Sequence, residues 1–484
     1  MPLIPEEPEL DADEIQGHIL IGFGAAEQAL AAFTGTDLRA LGRVIGRWAQ
    51  QGRITSTRRL MRRKGRPARD VVAASGPWVS VAVSRRLLAA CGLPVEFDDP
   101  WFTSARGMAG VTSLRDPRPA DGSPLGSDWL VGGPAAPVDT LVVVAAGTAG
   151  AARDVVSILE SDVGDAAPPP FVEPLLPIKG NLEHFGFRDG VSQPAVLGTV
   201  DGKPFQGDRP ADGDDVRQVL VGQDLVWPGE FVYGYPGQTS DPAEAGPDPG
   251  PQDEATRAVA RNGSLLVYRR LAQDVAAFRA FCAARSAAIG LGQGWEELAT
   301  HFVGRHRSGV PIALPVDEAF TPERDNRFTF EDDAMADVCP AAAHIRKVNP
   351  RQGASDLLVV PRILRRGAPF GPLFEDDEAT EPPGGRGLVF LAYQTSVENQ
   401  FGRLTRDWMN DDIAPNGSGG HDMLVGQVGP GSSRHFDLRL GERDQRITAG
   451  HDERWVTTTG GAFLFAPSLS TLRALARDDD EVRG

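Results

Sequence analysis

The sequence predicts an α+β fold built from two related halves. Three observations carry this reading. Short apolar strands recur, each followed by an Ala-rich amphipathic helix, and these strand–helix units fall into two sets. Turn-rich sequence near residues 200–230 (VDGKPFQGDRPADGDD) separates the sets, placing the halves at 1–205 and 206–484. A chain of 484 residues that is 41% hydrophobic and 24% charged also has ample material for a core.

In chain order, Gln16–Phe23 (QGHILIGF) reads as a strand, and the Ala/Leu/Arg-rich stretch from Ala25 to about Gln50 as a helix. Trp78–Ser84 alternates as a strand does, and the following RRLLAACGLP is a helix stopped by Gly92 and Pro94. Thr140–Gly147 (TLVVVAAG) is a continuous apolar strand ahead of the helical AARDVVSILES. The second set opens with Gly263–Leu271, before a helix from Asp274 to about Ala288. Gly387–Gln394 precedes a helix near Val397–Asn410, and Gly461–Ala466 precedes one near Ser470–Arg477. Segment 241–254, rich in Pro, Gly and acidic residues, reads as an exposed loop, and segment 113–138 is similarly turn-rich.

Composition excludes several function classes. A net charge of −17 repels phosphate backbones, and no basic stripe offsets it, so nucleic acid is not an expected partner. Cys91, Cys282 and Cys339 form no C-x-x-C pair, which argues against a zinc site or a disulfide framework. No apolar run approaches the ~20 residues that span a bilayer. The acidic N-terminal MPLIPEEPELDADE carries neither an apolar leader core nor a twin arginine, so a cytoplasmic location is expected. Phosphate-binding loops, nucleophile elbows and H-E-x-x-H pairs are all missing from the sequence.

Three segments concentrate reactive residue types. In FGFRDGVSQP, Asp189 sits in an Asp-Gly pair that reads either as a surface turn or as a carboxylate drawn toward a core by Phe185 and Phe187. In CPAAAHIRKVNPR, His344 follows three alanines and reads as a satisfied core or surface histidine or as a ligand. In PRILRRGAPFG, the Arg365–Arg366 pair reads as a solvated face or an anion contact.

Together these segments resemble the dye-decolorizing (DyP-type) haem peroxidases. The family's G-x-x-D-G signature is met by Gly186-Phe187-Arg188-Asp189-Gly190, its axial-histidine segment by HIRKVNPR, and its distal-arginine segment by Arg365 ahead of RGAPFG, in the family's order. Further similar blocks, from DEIQGHILIGFG to LVFLAYQ, extend the resemblance over roughly residues 12–475. One departure lies in HFVGRHRSGVP, where His306 replaces an aromatic expected before Ser-Gly.

The resemblance implies two ferredoxin-like halves, of the dimeric α+β barrel type, enclosing a haem pocket. It implies haem b (iron protoporphyrin IX) with His344 as the metal ligand, supported by a carboxylate for which Asp407 and Glu398 are the candidates. Asp189 and Arg365 become the catalytic pair that cleaves the O–O bond of hydrogen peroxide. Leu388 and Phe390, sharing one face of a strand by period two, either line the distal pocket or pack in the core. Arg346 contacts a haem propionate or makes a surface ion pair. The implied function is an acid-favoured oxidation of phenols or aromatic dyes, the aspartate taking the place a histidine would hold near neutral pH. A haem carrier or iron-release (deferrochelatase-like) protein is the alternative. Bulky dyes would pass electrons through a surface Trp or Tyr, with Trp227, Tyr233, Tyr235, Tyr393 and Trp408 among the aromatics present.

Overall fold

The computed structural model describes residues 7–477 apart from 25, 63–65, 177–181, 207–223, 241–243, 315–325, 327, 352–359, 375–380 and 383–384. The expected boundary at 205/206 abuts a stretch outside the described residues, and so do the first three residues of the expected loop at 241–254.

The N-terminal set runs β1 (Glu27–Phe33), α2 (Leu38–Gln50), β2 (Trp78–Val83), β3 (Thr140–Ala146), α6 (Ala149–Val163) and β4 (Phe171–Leu175). Short helices α1 (Gly17–Leu20), α3 (Thr57–Met61), α4 (Ala68–Ser75) and α5 (Arg85–Ala90) fill the connections. Four two-residue strands follow: β5 (Ala195–Val196), β6 (Thr199–Val200), β7 (Lys203–Pro204) and β8 (Leu225–Val226). After α7 (Glu254–Ala260) the second set runs β9 (Ser264–Gln273), α8 (Val275–Ile289), α9 (Glu296–Val303), α10 (His344–Val348), β10 (Leu364–Arg365), β11 (Ala368–Phe370) and β12 (Gly387–Gln394). A π-helix (Val397–Met409), the hairpin β13 (Ser433–Leu440) and β14 (Arg443–Gly450), strand β15 (Val456–Ala466) and α11 (Leu469–Ala474) complete it.

The main sheet has the order β10-β12-β9-β15-β2-β3-β1-β4, with β11 also on β12. Each four-strand set is thus antiparallel in the order 2-3-1-4 of its own strands, the ferredoxin-like arrangement. The sets meet where Phe465 of β15 pairs with Val83 of β2. At the far edges Leu176 N donates to Pro369 O at 2.8 Å, so the sheet curls toward a barrel. Leu30, Tyr268, Leu391, Tyr393 and Leu464 pack inside it, drawn from both sets. Arg270 crosses that interior from β9 to Glu173 of β4, its guanidinium 3.9 Å from the Phe370 ring centroid. Helices α2, α6 and α11 cover the outer face over Ala31, Val81, Val144 and Phe465.

The first predicted unit is corrected. Within Gln16–Phe23 the chain forms α1, because the Gln16 amide binds Val81 O, Pro467 O and Val81 N, pinning the segment across β2 rather than beside it. The predicted helix from Ala25 begins instead as β1, whose Ala29–Phe33 are buried between barrel interior and covering helices. Burial on both faces outweighs the helix preference of Ala-rich sequence there. The other predicted strand–helix units stand close to their expected positions. No helix among the described residues is long and apolar enough to cross a membrane.

Candidate functional site

The proximal part is built on α10 at the end of the π-helix. His344 is the first residue of α10, and its Nδ1 lies 2.6 Å from Asp422 Oδ2. Asp422 is fully buried, and its other oxygen accepts from Leu424 N at 2.9 Å and Val425 N at 3.1 Å. A carboxylate anchored in this way fixes the imidazole tautomer and leaves Nε2 as the free donor atom. Lys347, one turn on, spends its ammonium on the carbonyls of Trp408, Asp411 and Ala414, tying α10 to the π-helix. Gly304 (φ +88°) passes directly behind: a Cβ there would sit 2.6 Å from Ile345 Cγ1 and 3.3 Å from Ala343 Cβ.

Neither sequence candidate for the histidine's partner is correct. Asp407 and Glu398 both pair with Arg406, and Asp422 takes the role. A signal for Asp422 did exist, in GHDMLVG: a carboxylate heading an apolar run, the same pattern that drew attention to Asp189.

The distal part is built on strand register. Arg365 of β10 lies opposite Ala392 of β12, so it shares the outer sheet face with Phe390 and Leu388, two and four residues back. Along β12 the alternate residues Val389 and Leu391 are fully buried, whereas Leu388 and Phe390 remain partly open. Phe390 meets Phe401 of the π-helix at 6.0 Å between ring centroids. Arg365 Nη1 reaches Asp189 Oδ1 at 3.3 Å and Nη2 reaches Ser192 O at 2.8 Å. Gln193 holds the same arginine through both main-chain groups. Arg366 points elsewhere: it is enclosed by the carbonyls of His18, Ile19 and Leu20 and serves the fold.

Arg346 does not offer a free cation to a propionate. It is buried, donates to Asp333 Oδ2 (3.0 Å), Asp333 O and Cys339 O, and lies over the Phe330 ring. The ion pair is a buried one, not the surface pair of the alternative reading. His306 is exposed, on the turn closed by its N–H to Val310 O.

Two arginines absent from the sequence reading stand in the open positions. Arg305 is 5% exposed, donating to Gly309 O and Asn326 Oδ1; Arg351 donates to Asn326 O and Ser192 Oγ. These partners are all neutral. Burial first, then the neighbouring arginine charges Arg351 and Arg365, pull Arg305 down to about 9. Burial likewise brings Arg351 to about 10. Asn326 also donates to Val191 O, so the same cluster grips the turn carrying Asp189. Among the described residues no carboxylate is hydrogen-bonded to Arg305, and half-buried Arg351 feels the charge of Asp224, which itself pairs with Arg362, so the two arginines can take an anionic ligand. Paired with one free imidazole nitrogen and a partly open apolar strand face, they fit an iron porphyrin with its two carboxylates.

The fold has counterparts among known peroxidases. Residues 256–418 match the model of the Dyp-type peroxidase C-terminal region. The dye-decolorizing peroxidase msp1 of Mycetinis scorodonius is 28% identical over 504 residues, spanning 96% of this chain and 88% of its own. Among solved structures, an ancestral D-type dye-decolorizing peroxidase superposes with TM-score 0.76 at 25% identity, covering 97% of this chain and all of its own. A dye-decolorizing peroxidase complexed with 2,6-dimethoxyphenol gives TM-score 0.73, also at 25% identity and with the same coverage. The chain is similar to dye-decolorizing peroxidases over almost all of its length and is a peroxidase, and the members of that family are haem enzymes.

Proposed function

We propose that the protein uses hydrogen peroxide to oxidise phenols and aromatic dyes at a haem b held by His344. Bound haem would supply the iron that accepts two oxidising equivalents from peroxide and passes them on singly. Asp189 takes the proton from one peroxide oxygen and returns it to the other, which leaves as water. Arg365 stabilises the negative charge that develops as the O–O bond breaks. Two phenol molecules then give one electron and one proton each, so the second oxygen also leaves as water. Asp422 orients His344 and strengthens it as a donor. Arg305 and Arg351 would hold the two propionates, while Leu388 and Phe390 lie on the face shared with Arg365.

The observation that carries catalysis is the 3.3 Å contact between Asp189 and Arg365. A haem carrier needs His344 but has no use for that pair. Reconstitution with haem should give a Soret band that His344→Ala loses. Arg365→Leu should keep the band and slow the reaction with peroxide by about 10²–10³. An unchanged rate in Arg365→Leu would sink the assignment of the pair.

Dyes too large for the pocket would be oxidised at the surface. Of the 8 Trp and 4 Tyr, Trp295 alone is not buried, and it meets Phe187 edge-on at 6.3 Å beside the Asp189 turn. The five aromatics named from sequence are all buried.

A further inference from the structure

A cleft of about 470 Å³ includes His421, the chain neighbour of Asp422, and lies outside the groups assigned to the peroxide reaction. Its other walls are Arg115, Asn410–Asp412 just past the π-helix, and Ser432–Ser433 at the start of β13. Asn410 fixes the floor. It is buried, donates from Nδ2 to Leu114 O (3.1 Å), and accepts from Gln427 N at Oδ1 (2.7 Å) and from Arg115 Nη1 at its carbonyl (3.0 Å). His421 is 8% exposed and is set in place by His435. His421 N donates to His435 O at 2.8 Å, His435 N donates to His421 Nδ1 at 3.3 Å, and the rings meet edge-on at 5.2 Å between centroids. Gly420 (φ +102°) permits this approach, because a Cβ there would lie 2.2 Å from His435 O. Burial, then His435, bring His421 down to about 4, so its ring is neutral. With Nδ1 accepting, the one ring proton is on Nε2. That Nε2 has no hydrogen-bond partner among the described residues, although the side chain is more than nine-tenths buried. The half-buried carboxylate of Asp412 is likewise without a hydrogen bond among the described residues.

We propose that this cleft is a binding site for a small neutral ligand bearing a vicinal diol. A buried N–H without a partner is an incomplete contact, and a ligand oxygen completes it. The charges around the cleft select which ligand. An anion meets Asp411 and Asp412, and a cation meets Arg115, so a ligand of either single sign is repelled by one wall. Asp411 keeps one oxygen for the cleft, its Oδ1 being taken by the amides of Ile413 and Ala414. A hydroxyl uses both kinds of wall at once, accepting from His421 Nε2–H and donating to a carboxylate. A second hydroxyl on the adjacent carbon repeats the pattern between Arg115 and an aspartate. Ser432 and Ser433 add hydroxyls that serve as donor or acceptor. Catechols and sugars share this chemistry. The site stands apart from the peroxide reaction and does not depend on it.

Calorimetric titration of the haem-loaded protein without peroxide tests this, with catechol, methyl glucoside, phenol and glycine as probes. Catechol, methyl glucoside or both should bind, and the pair of probes separates an aromatic from a sugar source of the diol. Phenol, with one hydroxyl, should bind about 10-fold more weakly than catechol, the scale of one charge-assisted hydrogen bond. Asp412→Asn and His421→Gln should each weaken the diol by about the same factor. Asp412→Asn should do so while oxidising 2,6-dimethoxyphenol at the wild-type rate, which shows that the diol lost is not one held in the haem pocket. Asp412 lies on the surface side of the cleft, so this variant keeps the test open if His421→Gln folds poorly. Diol binding unchanged in Asp412→Asn would place the ligand elsewhere and overturn the proposal. So would the absence of any heat with either diol. Glycine binding in preference to both diols would make the cleft a zwitterion site and overturn it equally.

Discussion

Asp422 shows how much rests on one side chain. Its two oxygens divide the work, one on His344 and one on the amides of Leu424 and Val425, so the carboxylate can neither rotate away nor swap partners. Asp422→Asn would preserve an acceptor for the imidazole while removing the charge. We expect haem to be retained, the iron(III)/iron(II) potential to rise, and the reaction with peroxide to slow by about 10- to 100-fold; spectroelectrochemistry and stopped-flow mixing measure both. An unaltered potential would show that charge at this position is immaterial. The sequence made Asp189, His344 and Arg365 legible because each lies within a short motif whose spacing is local. Asp422 left only the weaker trace of a carboxylate heading an apolar run, and Arg305 and Arg351 were not legible, since their partners come from other segments and only folding joins them. Arg346 and Arg365 look alike as cations in sequence; Asp333 and Phe330 distinguish them in space. Trp295 belongs to this scale too. Trp295→Phe should lower turnover of a bulky dye while sparing 2,6-dimethoxyphenol, and equal loss with both substrates would rule out a surface relay.

At the level of elements, α1 links the fold to the conditions of catalysis. His18 is buried with Nδ1 2.8 Å from the Tyr393 hydroxyl, and Arg366 grips the carbonyls of His18, Ile19 and Leu20. Gly22 (φ +76°) leaves room for that arginine, because a Cβ there would come within 2.6 Å of Arg366 Cδ. Burial, then the Arg366 charge, lower His18 to about 3. In the unfolded chain the same ring protonates near pH 6.5. Its contribution to stability is therefore complete above about pH 6.5 and is lost as pH falls toward 3, by up to about 4 kcal/mol. His421, lowered to about 4 by burial and by His435, acts in the same sense. The distal role proposed for Asp189 would favour acid, so the two tendencies would oppose each other. His18→Phe should flatten the decline in denaturation midpoint between pH 6 and 4, and an unchanged slope would acquit this residue. The strand–helix units were mostly legible because apolar periodicity reports directly on burial. The exception, Ala29–Phe33, has helix-forming composition in a strand buried on both sides, a placement that no local signal encodes.

For the whole molecule, the two largest cores among the described residues cross the line between the two strand sets. The outer cluster joins Ala31, Val81 and Val144 of the first set to Leu265, Val267 and Phe465 of the second, and the barrel interior does the same. Unfolding one set would expose the apolar face of the other. We expect a single cooperative transition in denaturant, coincident by fluorescence and circular dichroism; two separated transitions would show independent halves. The net charge of −17 acts on the same scale. It raises no barrier to uncharged peroxide but repels anionic dyes, a repulsion that salt screens and acid relieves.

The meeting of β15 and β2 at Phe465 and Val83 has a further consequence. Elsewhere in the sheet, long ladders fix each strand against its neighbour, and a shift of one residue would turn every side chain over. Across this seam one residue pair stands where the ladders have many, so alignment is left to interlocking side chains. Such a joint can drift over evolutionary time, because changing a few packed residues resets its angle without rewriting either ladder. The half carrying His344 and Arg365 could thus diverge in shape while its sister half kept an unaltered architecture, a freedom that a continuous ladder would deny.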